Sequence, residues 1–209
     1  MEAAENADLA VVFAGTNGEF ESEGFDRFDM SLSKGQDELV ERVAAAYKRT
    51  IVVNFSAAPI LLPWRDNVAA IVQAWFPRQE CGNAVTDLVL GKVDACGRLP
   101  TTFPFKIEYN PSYGTSPGMR MNEINYAEGV FVGYRQYDYN HIPPCWPFGF
   151  TTFAWSHFKV SSSMNPFGTI ELSVQVTNTG NRDGKEVVQV YIHQLRPNHL
   201  RPHKELHAF

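Results

Sequence analysis

Two apolar runs constrain the fold more than any other feature of this chain. Leu9-Ala10-Val11-Val12-Phe13-Ala14-Gly15 and Thr50-Ile51-Val52-Val53-Asn54-Phe55 are both of strand length. The first ends at a glycine, and the second is followed by Pro59 and Pro63. Continuous runs without polar alternation are the pattern of strands covered on both faces in a parallel sheet. Parallel neighbours need a crossover, and Gln36 to Tyr47 supplies one, with Leu39, Val40, Val43 and Tyr47 on one helical face. Val68 to Phe76 is a third apolar segment, in which period does not separate helix from strand. Glu80 to Leu90 reads as a helix stopped by Gly91. Strand, helix, strand, helix at this spacing predicts a doubly wound α/β layer.

The pattern changes twice further on. From Gly97 to Trp155 the period is lost and prolines recur, among them Pro100, Pro104, Pro111 and Pro117. That composition predicts an ordered, loop-rich section. Beyond Ser156, Ile170 to Val176 alternates apolar with polar, which predicts a strand with one face buried. Asn178-Thr179-Gly180-Asn181 is a turn cluster, and Glu186 to His193 is rich in β-branched residues. These read as the start of an antiparallel β-sandwich, which needs about seven strands and finds two or three. The expected fold class is therefore α/β: a partial doubly wound α/β sandwich over residues 1–155, then a truncated β-sandwich over 156–209.

Composition removes several function classes. The 209 residues carry a formal charge of −5, against the basic face that a nucleic-acid partner requires. No apolar run approaches the roughly 20 residues that cross a bilayer, so no membrane partner is expected. Cys81, Cys96 and Cys145 are too few and too scattered for a disulfide framework or a zinc site. His199, His203 and His207 recur every four residues, but Pro202 interrupts any helix that would align them. No metal or cofactor is expected. Met1 to Asp8 is acidic, with neither the cationic region nor the apolar core of a signal peptide, and the compartment is not readable from it.

One loop concentrates chemistry. Gly15-Thr-Asn-Gly-Glu-Phe-Glu-Ser-Glu-Gly-Phe-Asp-Arg27 directly follows the first predicted strand, at the carboxyl edge where open α/β sheets bind ligands. Glu19, Glu21 and Glu23 alternate with neutral residues, so an extended backbone sets all three on one side. Crowding of like charges, or burial beside Phe20 and Phe25, is one route to the proton-donating carboxyl that general acid catalysis requires. Asp26 and Arg27 would then position the loop by pairing. The competing reading is a solvated acidic loop.

Elsewhere the bland readings prevail. Trp75 and Phe76 are of the type that lines a binding site by stacking, but an aromatic pair after an apolar run belongs in the core. Glu80 and Asp87 read as charges at a helix N-terminus. Glu128 reads as a hydrogen-bond acceptor for the turn at Gly129. Asn54-Phe55-Ser56 is a formal glycosylation sequon, yet it lies in a predicted buried strand and is expected to go unused.

Taken in order, these segments resemble the C-terminal region of glycoside hydrolase family 3, the β-glucosidase family. Ala7 to Gly15 leads into Glu21-Ser-Glu-Gly-Phe-Asp-Arg27, which is similar to the family's acid/base loop. Ala74-Trp75-Phe76-Pro77-Arg78-Gln79-Glu80-Cys81-Gly82 is similar to W-x-P-G-Q-E-x-G, and Gly97 to Pro104 to G-R-L-P-x-T-F-P. Tyr126-Ala-Glu128-Gly129-Val-Phe-Val-Gly133-Tyr134-Arg135-Gln-Tyr137 is similar to Y-x-E-G-I-F-V-G-Y-R-Y-Y. Arg201-Pro202-His-Lys204-Glu205-Leu206-His-Ala-Phe209 is similar to R-P-x-K-E-L-x-x-F of an appended fibronectin type III-like domain.

The resemblance implies a retaining exo-glycosidase acting on a β-glucoside or oligosaccharide. In that chemistry one carboxylate attacks the anomeric carbon while another protonates the leaving oxygen and later activates water. The family's nucleophile is an aspartate on an N-terminal (β/α)8 barrel, a partner domain that 209 residues cannot also contain. Its acid/base is a glutamate, here Glu23 directly before Gly-Phe-Asp-Arg, with Glu21 as runner-up and Glu19 third. The chain is then expected to be a piece of a longer hydrolase, inactive alone, or else a non-catalytic remnant that binds carbohydrate or a subunit. Two departures from the family pattern carry expectations. Arg78 replaces a glycine, which predicts strain in that turn. The run Phe148 to Phe153 is shorter than the family's F-G-x-G-L-S-Y-T-x-F.

Overall fold

A computed structural model describes residues 7–33, 35–115, 125–145, 152–161 and 168–209. The shortened run therefore lies largely outside the described residues. The chain divides into two compact units: Met1–Cys81 with Leu99–Pro147 and Val190–Ala208, and Gly82–Arg98 with Phe148–Gln189 and Phe209.

The first unit is built on a parallel sheet in the order β1 (Ala10–Gly15), β2 (Thr50–Phe55), β3 (Ala70–Gln73). Val12 stands opposite Val52, and Val52 opposite Ile71. The ambiguous third segment is thus a strand. β2, in the middle, has Thr50, Val52, Val53 and Asn54 all fully buried, as its unbroken run predicts. β1 departs from that reading. Val12 and Ala14 are buried, but Phe13 is 60% exposed and stacks on Phe55 at 6.2 Å. Among the described residues β1 lies at the sheet's edge and is covered on one face only.

The crossover is α1 (Gln36–Ala46), entered through Gly35 at φ 76° and closed where Tyr47 N–H donates to the Val43 carbonyl. Its buried stripe is Val40 and Ala44, one turn apart, with Val43 packed beside it. Leu39, expected on that face, is half exposed.

The core gathers Val12, Leu32, Val40, Val52, Ile60, Leu62, Trp64 and Phe103. Each such fully buried side chain contributes about 1.5–3 kcal/mol. The Trp64 indole N–H is satisfied by Asp37 Oδ1 at 2.7 Å, and Leu32 N–H donates to the other carboxyl oxygen at 3.2 Å. Burial pushes the Asp37 carboxyl above its ordinary 3.8 despite those two bonds, and Asp29 adds to the rise. Two of the resemblance's separated motifs also meet in this unit. Leu206 N–H donates to the Tyr134 hydroxyl oxygen at 2.7 Å, and Lys204 lies 3.4 Å from Asp138. They join α3 (Tyr134–Tyr139) to the hairpin of β6 (Val190–Ile192) and β7 (Glu205–Ala208).

The second unit holds α2 (Cys81–Val89) from Gly82 onward and an antiparallel pair, β4 (Phe153–Val160) and β5 (Leu172–Asn178), with an irregularity between Ser156 and Lys159. Arg98 and Glu186 form an ion pair with side chains 12% and 15% exposed. The alternation in β5 is real but weakly used, since Val174 and Val176 are only half-buried. The predicted strand over Glu186–His193 shrinks to Val190–Ile192.

Candidate active site

The acid-rich loop leaves the carboxyl end of β1, and several contacts fix where it starts. Gln36 Oε1 accepts from Gly15 N–H at 2.8 Å, and Gln36 Nε2 donates to the Gly15 carbonyl at 2.9 Å. The side-chain amide thus pairs with the end of β1 as a neighbouring strand would. On the other side Thr16 N–H donates to the Phe55 carbonyl at 2.9 Å. A Cβ on Gly15 would collide with that same carbonyl, so only glycine allows so close an approach.

The loop is not extended, and this separates the three glutamates. The Asn17 carbonyl accepts from both Phe20 N–H and Glu21 N–H at 2.9 Å, closing one helical turn. A second reversal follows at the Ser22–Phe25 bridge, where Ser22 Oγ accepts from Gly24 N–H at 3.0 Å. Glu19 stays in the first turn, its N–H bound to Asn17 Oδ1 at 3.0 Å.

Glu21 turns inward, with a side chain 10% exposed. Its Oε1 accepts from Arg27 Nη1 at 3.0 Å and Ala58 N–H at 3.1 Å. Its Oε2 accepts from the Thr16 hydroxyl at 2.6 Å and Ala57 N–H at 2.8 Å. Both oxygens are taken, so neither is presented to a ligand. The carboxylate clasps the loop to the segment after β2. Glu23, at the second reversal, is exposed, and no donor holds its carboxylate among the described residues.

Arg27 pairs with Glu21 rather than alongside Asp26, and Nη2 donates to the Ser31 carbonyl at 3.2 Å. The expected Asp26–Arg27 clamp is therefore corrected to Glu21–Arg27. Sequence spacing could not show it, because half the donors to Glu21 are backbone amides 36 and 37 residues away. The same contacts replace the expected single-sided row of three carboxylates.

Other singled-out residues also find places. Trp75, just past β3, packs edge-on to Phe103 at 6.1 Å and adjoins the core, whereas Phe76 is 52% exposed and is not core. The expected strain at Arg78 is absent, and Trp75 carries the positive φ, 56°. An outlier of this kind costs about 1–3 kcal/mol and persists where neighbours over-determine it. Asp87 lies in the last turn of α2, not the first, and pairs with Lys92 at 2.9 Å. The Glu128 carbonyl accepts from Phe131 N–H at 2.9 Å across the turn. Asn54 is fully buried and donates to Ser56 Oγ and Gln73 Oε1, which closes the sequon to modification in this fold. Among the described residues no three metal-ligating side chains converge, and no helix is long and apolar enough to cross a membrane.

Beside the loop lies a cavity of about 230 Å³ between residues 27–30 and 58–59 on one side and Ile107, Asn110 and 112–114 on the other. Ligand pockets generally start near 300 Å³. This one is a notch rather than a complete binding site.

A parallel α/β layer with a clasped, carboxylate-bearing loop at the carboxyl edge of its first strand defines an α/β domain with its chemistry at the ligand edge of the sheet. Residues 1–134 match the model of the glycosyl hydrolase family 3 C-terminal domain, and the chain belongs to that family. It is 41% identical over 213 residues to thermostable beta-glucosidase B of Acetivibrio thermocellus, covering 100% of this chain and 28% of the relative. It is 39% identical over 216 residues to a beta-glucosidase of Rhizobium radiobacter, of which it covers 26%. Among solved structures, the beta-glucosidase of Kluyveromyces marxianus is similar at TM-score 0.87 and 40% identity over 99% of this chain and 25% of that one. The Bifidobacterium adolescentis GH3 beta-glucosidase is similar at TM-score 0.88 and 36% identity, over 98% and 31%. The chain thus spans about a quarter of the length of the proteins it matches.

Proposed function

We propose that this chain is the acid/base-bearing portion of a retaining β-glucosidase that releases terminal β-D-glucosyl residues, with Glu23 as the acid/base. The observation that carries the assignment is the division of labour in the loop: Glu21 is consumed by four donors, while Glu23 stands outward on a reversal that they brace. Glu21 and Arg27 act as positioning residues. In the first step the Glu23 carboxyl gives its proton to the glycosidic oxygen as the aglycone departs. In the second its carboxylate takes a proton from the water that attacks the glycosyl-enzyme. The nucleophilic aspartate and the glucose pocket are supplied by the barrel that family resemblance places elsewhere, so the isolated chain does not turn over. Relatives named beta-glucosidases, one of them solved in complex with glucose, support the substrate class. Residues 1–155 are assigned to the α/β domain and 156–209 to the start of a fibronectin type III-like domain.

The test compares nitrophenol release from nitrophenyl β-glucoside by the isolated chain and by the Acetivibrio thermocellus relative carrying this chain in place of its matching segment. The isolated chain is expected to be silent and the spliced enzyme active. Loss of the acid in Glu23→Gln is expected to lower turnover of an alkyl glucoside by about 10²–10⁴-fold. Turnover by the isolated chain, or an unimpaired Glu23→Gln, overturns the proposal.

A further inference from the structure

The turn that begins the acid-rich loop is also a chemical weak point. Asn17 is exposed, is followed by Gly18, and holds its side-chain carbonyl toward Glu19 N–H at 3.0 Å. That Asx turn folds the side chain back along its own backbone, across the peptide to Gly18. Among the described residues no acceptor stands opposite the Gly18 N–H, and an added Cβ at Gly18 would meet nothing within 4 Å. The nucleophile is thus unbound and unshielded, and glycine leaves the backbone free to close a five-membered ring.

We infer that Asn17 is a spontaneous deamidation site that ages this loop. The Gly18 nitrogen, losing its proton to solvent, attacks Asn17 Cγ. The side-chain nitrogen leaves as ammonia, and a cyclic imide joins the two residues. Water then opens the ring at either carbonyl, giving aspartate or the isoaspartyl isomer. No enzyme, metal or oxidant is required. The isoaspartyl product routes the main chain through the former side chain, adding one backbone atom and freeing a carboxylate beside Glu19. The carbonyl that receives Phe20 and Glu21 N–H is displaced, and with it the turn that leads into the Glu21 clasp.

The chain contains its own comparisons. Asn178 makes the same side-chain turn, accepting from Gly180 N–H at 2.9 Å, but its neighbour Thr179 is β-branched and its N–H is already donated to the Thr152 carbonyl at 2.9 Å. Asn110 makes it too, accepting from Ser112 N–H at 3.0 Å, but its neighbour Pro111 has no N–H to lose. Of the three followers, glycine alone offers an N–H that is both present and unbound among the described residues.

The experiment incubates the full chain at neutral and at mildly acidic pH, then follows each asparagine by peptide mapping with mass and isoaspartate detection. Asn17 is expected to convert first and faster at the higher pH, with mixed aspartyl and isoaspartyl products. Asn178 should lag and Asn110 stay intact. Gly18→Ala, which the open surroundings accommodate, should reduce Asn17 conversion to the level of Asn178. Conversion at Asn17 no faster than at Asn178, or unaffected by Gly18→Ala, overturns the inference. A shift of the melting temperature in the aged wild type that is absent from aged Gly18→Ala reads the structural consequence.

Discussion

Replacing Glu21 by alanine tests the clasp most sharply, because four donors lose one acceptor group. Thr16 and Ala57 lie near solvent and recover water, so their loss costs little. The expensive survivor is Arg27, whose side chain is 18% exposed and whose Nε already lacks a partner. Without Glu21 it keeps, among the described residues, the Ser31 carbonyl as its remaining bond and no ion-pair partner. Breaking a buried pair by removing one member costs about 3–5 kcal/mol, and partial exposure puts this case at the low end, about 3 kcal/mol. For a chain of this size that is a fall of roughly 6–12 °C in melting temperature. Glu23→Ala, two residues away but exposed, is expected to stay within about 0.5 kcal/mol of wild type. Thermal unfolding followed by circular dichroism reads both. Arg27→Ala added to Glu21→Ala should cost less than the sum of the single losses, because the stranded charge is gone. A Glu21→Ala chain that melts with the wild type, or single effects that simply add, would refute the clasp.

Other outcomes follow from the same contacts. Gly15→Ala drives a methyl into the Phe55 carbonyl and should lower stability by about 1–3 kcal/mol in urea unfolding, whereas Gly18→Ala should leave the midpoint unchanged. Burial, with a smaller contribution from Cys145, pushes the Tyr137 phenol from 10.0 up to about 12. The native state then keeps a proton that the unfolded chain releases, so stability is lost as pH rises from 10 toward 12, by about 2–3 kcal/mol. Tyr137→Phe should flatten that alkaline slope in urea midpoints, leaving the part due to the Tyr191 phenol, which burial also pushes up. Trp64→Phe leaves Asp37 with the Leu32 amide as its remaining donor and opens space in the core, and should cost about 2–3 kcal/mol.

How far the sequence carried depends on where the deciding partner lies. β2 is legible because its central positions are buried on both faces, so the run reads apolar, with Thr50 bonded to the Tyr47 carbonyl and the Asn54 amide nitrogen bonded internally. β1 carries the same kind of run, yet Phe13 lies open, because edge position depends on which strands are paired and not on local pattern. Leu39 misled for a related reason: a helix one residue richer in apolar side chains than its stripe needs does not say which one is surplus. The loop was located by its place after a strand, but the roles within it were not. Glu21 and Glu23 are equivalent by spacing, and the difference is made by the amides of Ala57 and Ala58, which have no signature in side-chain sequence. Trp75 holds the positive φ in place of Arg78, since the turn after β3 reverses earlier than the motif comparison suggests.

The measurement closest to the central claim is the leaving-group dependence of Glu23→Gln in the spliced enzyme, taken across a series of β-glucosides from dinitrophenyl to alkyl. If Glu23 delivers the proton, the loss in kcat/KM should grow as the aglycone becomes a poorer leaving group and nearly vanish for dinitrophenyl. Added azide should restore turnover of the activated substrates by replacing the water that Glu23 no longer activates. A loss of equal size across the series, or a graded loss in Glu21→Gln with Glu23→Gln silent, would contradict the account.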